Sequence, residues 1–250
     1  MDLHQPLSRR GALRLASAAL PALALPRLAR AATPRQVEGP FYPNVDQLAL
    51  RVGALRDNDL TRVEGVLRDA RGEALLITGT VLDAAGRPVP DAVVEIWQAN
   101  AEGRYLAAKD KRRSRSHDPG FQYFGVCPVD GEGRYVFRTV LPPAYPAGLI
   151  PGWIRPPHIH VRVRVPGQPD FVTQLYWEDP ADPLLEKHRR LQRKDLIIAG
   201  VKAGDRDQLI RPVVEAPRSV ASLAAFGGEQ LWAPRTLDFP ITLRQELYLP

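Results

Sequence analysis

A single cysteine, Cys127, occurs in the 250 residues of this chain. One thiol cannot form an internal disulfide framework or a cysteine-based metal site. A free cysteine ordinarily behaves as a small buried apolar residue, which is the expectation for Cys127. A long hydrophobic run is also missing. The apolar stretch from Leu15 to Pro26 falls short of the ~20 residues that a membrane-spanning helix requires, and Pro21 interrupts it, so no permanent membrane anchor is expected. No internal repeat and no second domain stand out. Excess positive charge is scarce outside the N-terminus. The formal net charge is +6, yet Arg9, Arg10, Arg14, Arg27 and Arg30 against Asp2 place +4 of it within residues 1–31, leaving +2 for the remainder. That balance implies no nucleic-acid partner.

Proline is plentiful. At 25 in 250 it is about twice the usual ~5% share, which opposes long helices and suits strand ends and turns. The apolar share of 44% and charged share of 25% are ordinary for a soluble globular protein with a sizeable core. At the N-terminus, Ser8-Arg9-Arg10-Gly11-Ala12-Leu13-Arg14 precedes the apolar stretch, and Ala29-Arg30-Ala31 offers a small-residue cleavage site. Residues 1–31 therefore resemble a twin-arginine export signal, with a Sec signal or an uncleaved basic arm as the alternatives. A periplasmic or secreted location is expected. Residues 32–64 contain Glu38-Gly39-Pro40-Phe41-Tyr42-Pro43, whose prolines favour an extended arm lying across the domain.

From residue 65 to 250 the pattern is that of one β-domain. Leu75 to Leu82 and Ala92 to Trp97 flank a turn from Asp83 to Pro88, and Arg134 to Val140 follows the turn Asp130-Gly131-Glu132-Gly133. His158 to Val165 alternates, and Phe171 to Trp177 follows a Pro166-Gly167 turn. Short strands at this spacing predict an all-β fold, an antiparallel β-sandwich with long loops. Leu184 to Leu191 has the mixed pattern of a short surface helix. The basic stretch from Lys109 to Asp118 is expected to be a solvated loop, with an anion-binding patch as the rival reading. The weakly charged tail from Ala216 to Pro250 is expected to pack on the sandwich or on a partner subunit.

The most informative segment is Arg155-Pro156-Pro157-His158-Ile159-His160. Residues two apart on a strand face the same way, so two imidazoles project together. Spacing alone leaves a structural His-x-His and a metal site equally open.

The surrounding residues, roughly 65 to 200, resemble the intradiol ring-cleavage dioxygenase family. The matching pieces are Gly79 to Asp83, Val94 to Asn100 running to Gly103-Arg104-Tyr105, Tyr135 to Thr139, Tyr145-Pro146, Arg155 to His160, and Thr173 to Tyr176. The closest likeness is to the iron-bearing subunit of the protocatechuate branch. That resemblance implies iron(III) held by Tyr105, Tyr145, His158 and His160, with Tyr145 also a displaceable base. Arg155 and Gln174 match pocket positions that steady developing charge. It further implies a catechol-type substrate opened with O2 between its two hydroxylated carbons to a cis,cis-muconate-type diacid, and leaves assembly with copies of itself open. Phenolates are hard anionic donors, and with neutral imidazoles they suit a trivalent ion. The rival from another class is a secreted β-sandwich binding module without turnover. A zinc hydrolase on His158 and His160 lacks a nearby carboxylate motif. Tyr135 is expected in the core, Trp97, Trp153 and Trp177 in the core or a pocket wall, and His4, His117 and His188 away from the metal.

Overall fold

The computed structural model describes residues 31–43, 57–107, 109–112, 114–148, 150–215 and 233–243. Apart from Ala31, the expected leader lies outside the described residues, as do 44–56 of the expected arm. The described chain is mostly β-structure with few helices. Among the described residues, no helix is long and apolar enough to cross a membrane.

One five-stranded sheet is built around β1 (Ala74–Leu82), which pairs antiparallel with β4 (Arg134–Val140). On its other side, β1 pairs with β11 (Arg235–Asp238) and then with β12 (Ile241–Thr242), while β10 (Val214–Glu215) extends β11. The second five-stranded sheet has the order β3 (Phe124–Pro128), β2 (Val93–Trp97), β7 (Ile159–Arg164), β8 (Phe171–Glu178) and β9 (Ile210–Pro212). A two-stranded ribbon joins β5 (Tyr145–Pro146) to β6 (Ile154–Arg155).

Leu75, Ile77 and Val81 of β1, with Tyr135 and Phe137 of β4, meet Val94, Ile96, Val161 and Val163 of the other sheet in one apolar core. Each such buried side chain contributes about 1.5–3 kcal/mol relative to exposure. Cys127 and Trp177 are buried in that core, as is Tyr135, whose hydroxyl donates to the Phe239 carbonyl. Burial pushes the Cys127 thiol up to about 11, so it is inert at neutral pH.

The expectation of purely antiparallel sheets needs correction. The pairings β1–β11, β1–β12 and β8–β9 are parallel. Parallel neighbours require long connections, and here the connection from β1 to β11 is most of the domain itself. The tail thus contributes strands to the sheet.

Helix α1 (Leu185–Lys194) coincides with the expected surface helix and is tied to β8 by Gln192, which donates to the Trp177 carbonyl at 2.8 Å. A helical turn, Leu196–Ala199, follows. Asp195 caps it, its Oδ1 accepting from the backbone N–H groups of Ile197 and Ile198 at 3.0 and 3.1 Å.

Residues 31–43 have no regular secondary structure and run beside β8. The Gln36 N–H donates to the Val172 carbonyl at 2.9 Å, Thr173 Oγ1 to Pro34 at 2.7 Å, and Gln174 Nε2 to Val37 at 3.0 Å. Glu38 pairs with Arg162, whose guanidinium lies 4.0 Å from the Tyr42 ring centre. Tyr42 in turn donates to Glu95 at 2.9 Å. These contacts fix residues 37–41 at the edge of the site.

Candidate metal centre

The four donors expected from the sequence converge. Tyr105 lies beyond β2, after a turn in which the Asn100 side-chain oxygen accepts from the N–H groups of Glu102 and Arg104, both at 3.0 Å. Gly103 adopts φ +79° there, a conformation that suits glycine. The Tyr105 N–H then donates to Asp110 Oδ2 at 2.8 Å, setting the direction of the ring. Tyr145 is carried by β5 opposite Arg155 of β6. His160 lies within β7, opposite Trp97 on one side and Gln174 on the other. His158 stands just before β7 begins, rather than on it, but its ring still faces that of His160, with centres 5.0 Å apart.

Tyr145 Oη is 3.2 Å from Tyr105 Oη and 3.0 Å from His158 Nε2, and Tyr105 Oη is 3.4 Å from the same nitrogen. His158 Nδ1 lies 2.7 Å from the Pro156 carbonyl oxygen. A carbonyl only accepts, so Nδ1 carries the proton and Nε2 turns its lone pair toward the two phenols. The His160 ring stacks on Trp97 at 4.8 Å with 12° between planes, and its Nδ1 is buried with no hydrogen-bond partner.

All four side chains are buried. Burial pushes the Tyr105 phenol well above its ordinary value, and raises Tyr145 against the opposing charge of Arg155. Burial, reinforced by Arg155, holds both histidines well below theirs. Without a metal the site is therefore two neutral phenols and two neutral imidazoles. A trivalent cation reverses the case for the phenols, since phenolate against such a charge is strongly favoured. The donor set fits iron(III) on its chemistry: two oxygens that are hard anions once ionised, two neutral nitrogens, one tautomer already set, and a buried His160 nitrogen with no hydrogen-bond partner. Among the described residues no group of three or more His, Cys, Asp or Glu is placed to hold a metal. The cluster above escapes that description because half of its members are tyrosines.

Arg155 and Gln174 come together beside the donors. Arg155 Nη2 donates to Gln174 Oε1 at 2.7 Å and to Tyr176 Oη at 3.0 Å, and its Nε to Asp195 Oδ2 at 2.7 Å. Asp195 was not anticipated, and Tyr176 lay within a motif without a part assigned to it. An aspartate ahead of Leu196-Ile197-Ile198 signals a helix cap in sequence, but nothing there shows that its second oxygen anchors an arginine far back in the chain.

The basic stretch after Lys109 also departs from the solvated-loop expectation. Asp110 is buried, and Arg112 bonds to it through Nε at 2.7 Å. The Arg112 guanidinium lies 4.4 Å from the Tyr145 ring centre and 5.3 Å from that of Phe41. The aromatic faces and the buried carboxylate draw the Arg112 cation inward, while Lys111 stays more open. His117 lies 3.2 Å from the Tyr105 carbonyl, and His188 pairs with Asp182.

A cavity of about 80 Å³ adjoins these four side chains, lined on the polar side by Tyr145, His160, Arg155 and Gln174 and otherwise by Gly39 and apolar residues that include Val37, Pro40, Phe41 and Trp153. Trp153 thus serves as wall and Trp97, beneath His160, as support.

A family model described as dioxygenase matches residues 37–211. The chain is 41% identical to the protocatechuate 3,4-dioxygenase beta chain of Burkholderia cepacia over 62% of each chain. It is 31% identical to catechol 1,2-dioxygenase of Acinetobacter baylyi, over 74% of this chain and 59% of that one. Among solved structures, catechol 1,2-dioxygenase from Acinetobacter sp. ADP1 superposes with a TM-score of 0.56 at 25% identity, covering 88% of this chain and 67% of that one. The chain spans less than two thirds of the length of these curated relatives.

Proposed function

Because the chain belongs to the intradiol ring-cleavage dioxygenase family, we propose that it holds iron(III) on Tyr105, Tyr145, His158 and His160 and opens a catechol-type ring with O2. The ring is cut between its two hydroxylated carbons to give a cis,cis-muconate-type diacid. The observation that carries this reading is the approach of Tyr105 Oη, Tyr145 Oη and His158 Nε2 to within 3.0–3.4 Å of one another, with His160 buried beside them. Bound there, iron(III) would withdraw electron density from a chelated catecholate and so expose a ring carbon to O2.

Each residue then has a part to play. His158 and His160 present neutral nitrogens, the first with its tautomer fixed by Pro156. Tyr145 Oη accepts a proton from an incoming catechol hydroxyl, and the burial that raises its pKa keeps the proton there. Arg155 carries positive charge at the donor edge, held in place by Asp195, Gln174 and Tyr176. Charge fixed in advance inside a water-poor pocket stabilises negative charge as it develops. Phe41, stacked on Tyr105 with ring centres 4.8 Å apart, keeps water from that side.

The same reading takes the two sheets as a sandwich, residues 32–64 as an arm and residues 65–250 as the catalytic domain. Residues 1–31 act as a twin-arginine signal directing the folded, metal-loaded protein to the periplasm or beyond, and the domain assembles with copies of itself.

The test is an iron assay and visible spectrum of the purified protein, followed by anaerobic addition of catechol and of protocatechuate. A tyrosinate-to-iron(III) charge-transfer band that shifts with one of them is expected. A protein that stays colourless and iron-free after reconstitution refutes the assignment. For the signal, Arg9→Lys with Arg10→Lys should retain the protein in the cytoplasm, and unchanged export would rule out the twin-arginine route.

A further inference from the structure

The cavity beside the donors is divided chemically into two ends. Its polar lining residues are the metal donors Tyr145 and His160 and their cross-strand neighbours Arg155 and Gln174. Directly opposed residues on paired strands lie close together on one face, so all four belong to the end where catechol hydroxyls would sit. The rest of the wall is Val37, Pro40, Phe41, Ala147, Trp153 and Ile197, with Gly39 between.

Arg155 is the one cation lining the cavity among the described residues, and Asp195 opposes its charge at 2.7 Å. Arg112 is bound to Asp110 and packs over the Tyr145 ring without lining the cavity. Arg190 and Lys194 line a neighbouring groove that shares Trp153 with the cavity, but they are not part of the cavity's own wall. A carboxylate directed at that wall would therefore meet apolar surface without a charged partner among the described residues, which is disfavoured. A hydrogen, methyl or halogen at the same position meets matching surface and gains from burial.

We propose that this pocket selects catechols whose ring substituents are uncharged and discriminates against ring-carboxylated catechols such as protocatechuate. The proposal rests on the ring-cleavage reading above and names its substrate class.

The test uses the full-length, iron-loaded protein. Catechol, 4-methylcatechol and protocatechuate are titrated anaerobically against the visible charge-transfer band, and kcat/KM for each is then measured by oxygen uptake. Catechol and 4-methylcatechol should bind at least about tenfold more tightly than protocatechuate, with kcat/KM in the same order. Equal or tighter binding of protocatechuate overturns the substrate class while leaving ring cleavage intact. No spectral response to any of the three overturns the ring-cleavage reading itself. Ile197→Lys, which places a cation in the apolar wall, should narrow the ratio by raising affinity for protocatechuate. An unchanged ratio in a folded Ile197→Lys protein would also count against the proposal.

Discussion

Replacing Asp195 tests the support beneath the candidate site. Its side chain is fully buried, the Arg155 side chain is 8% exposed, and the two meet at 2.7 Å. Asp195 has two separable duties: Oδ2 holds Arg155, and Oδ1 caps the turn Leu196–Ala199. Asp195→Asn keeps an oxygen for the cap but removes the charge, leaving a buried guanidinium without a counter-ion. Breaking a buried pair in this way costs about 3–5 kcal/mol. In a domain of this size that lowers Tm by roughly 6–20 °C, at roughly 2–4 °C per kcal/mol. Asp195→Ala also removes the cap and should cost about 1 kcal/mol more. Adding Arg155→Met to Asp195→Asn removes the stranded charge, so the double variant should be more stable than the sum of the single effects predicts. Urea denaturation at pH 7 measures all of these. If Asp195→Asn lies within about 1 kcal/mol of the parent, well short of the 3–5 expected, the pair does not hold the site as argued.

His160→Ala should fold with native circular dichroism but lose iron in a metal assay, and normal iron content would sink its role as a donor. Tyr145→Phe should retain iron while kcat falls by about 10²–10⁴, the usual range for loss of an acid–base group; full activity would contradict the base assignment. In the metal-free protein, burial holds His158 and His160 below the ~6.5 at which they titrate in the unfolded chain. The unfolded state then binds more protons below that value, so their contribution is complete above pH ~6.5 and is lost as pH falls, by up to about 1.4 kcal/mol per pH unit for each histidine. Denaturation series at pH 7.5 and 5.5 should show a smaller loss of stability for His158→Asn with His160→Asn, and identical losses would refute the assignment.

The strands legible in the sequence were those with a strong pattern between clear turns. β1, β2, β4, β7 and β8 combine β-branched or aromatic residues with glycine- or proline-marked ends, and α1 shows its mixed helical face. β3 was missed because Phe124-Gly125-Val126-Cys127-Pro128 places a glycine and a proline in five residues, and its pairing with β2 is set by tertiary contact. β5, β6 and β12 have two residues each, too few for periodicity to register. The parallel pairing of the tail was invisible because strand direction depends on the path of the intervening chain. At the site, Tyr105, Tyr145, His158, His160, Arg155 and Gln174 were legible through family motifs, and the structure brings them together. Arg112 and Asp195 were not, and Tyr176 lay within a motif without a part assigned to it, because each is defined by partners distant in sequence or by a local reversal of charge exposure.

The parallel pairing of β1 with β11 joins Leu75 to Arg235, about 160 residues further along the chain. A ribosome therefore delivers one flank of the first strand only after about 160 further residues have been made. Until then β1 has an open edge, the kind of surface that recruits other strands. Contacts this remote in sequence also favour slow assembly. The first sheet stays open on that side until β11 arrives, and a chain deprived of β11 and β12 would begin life with a sticky edge instead of a finished sheet.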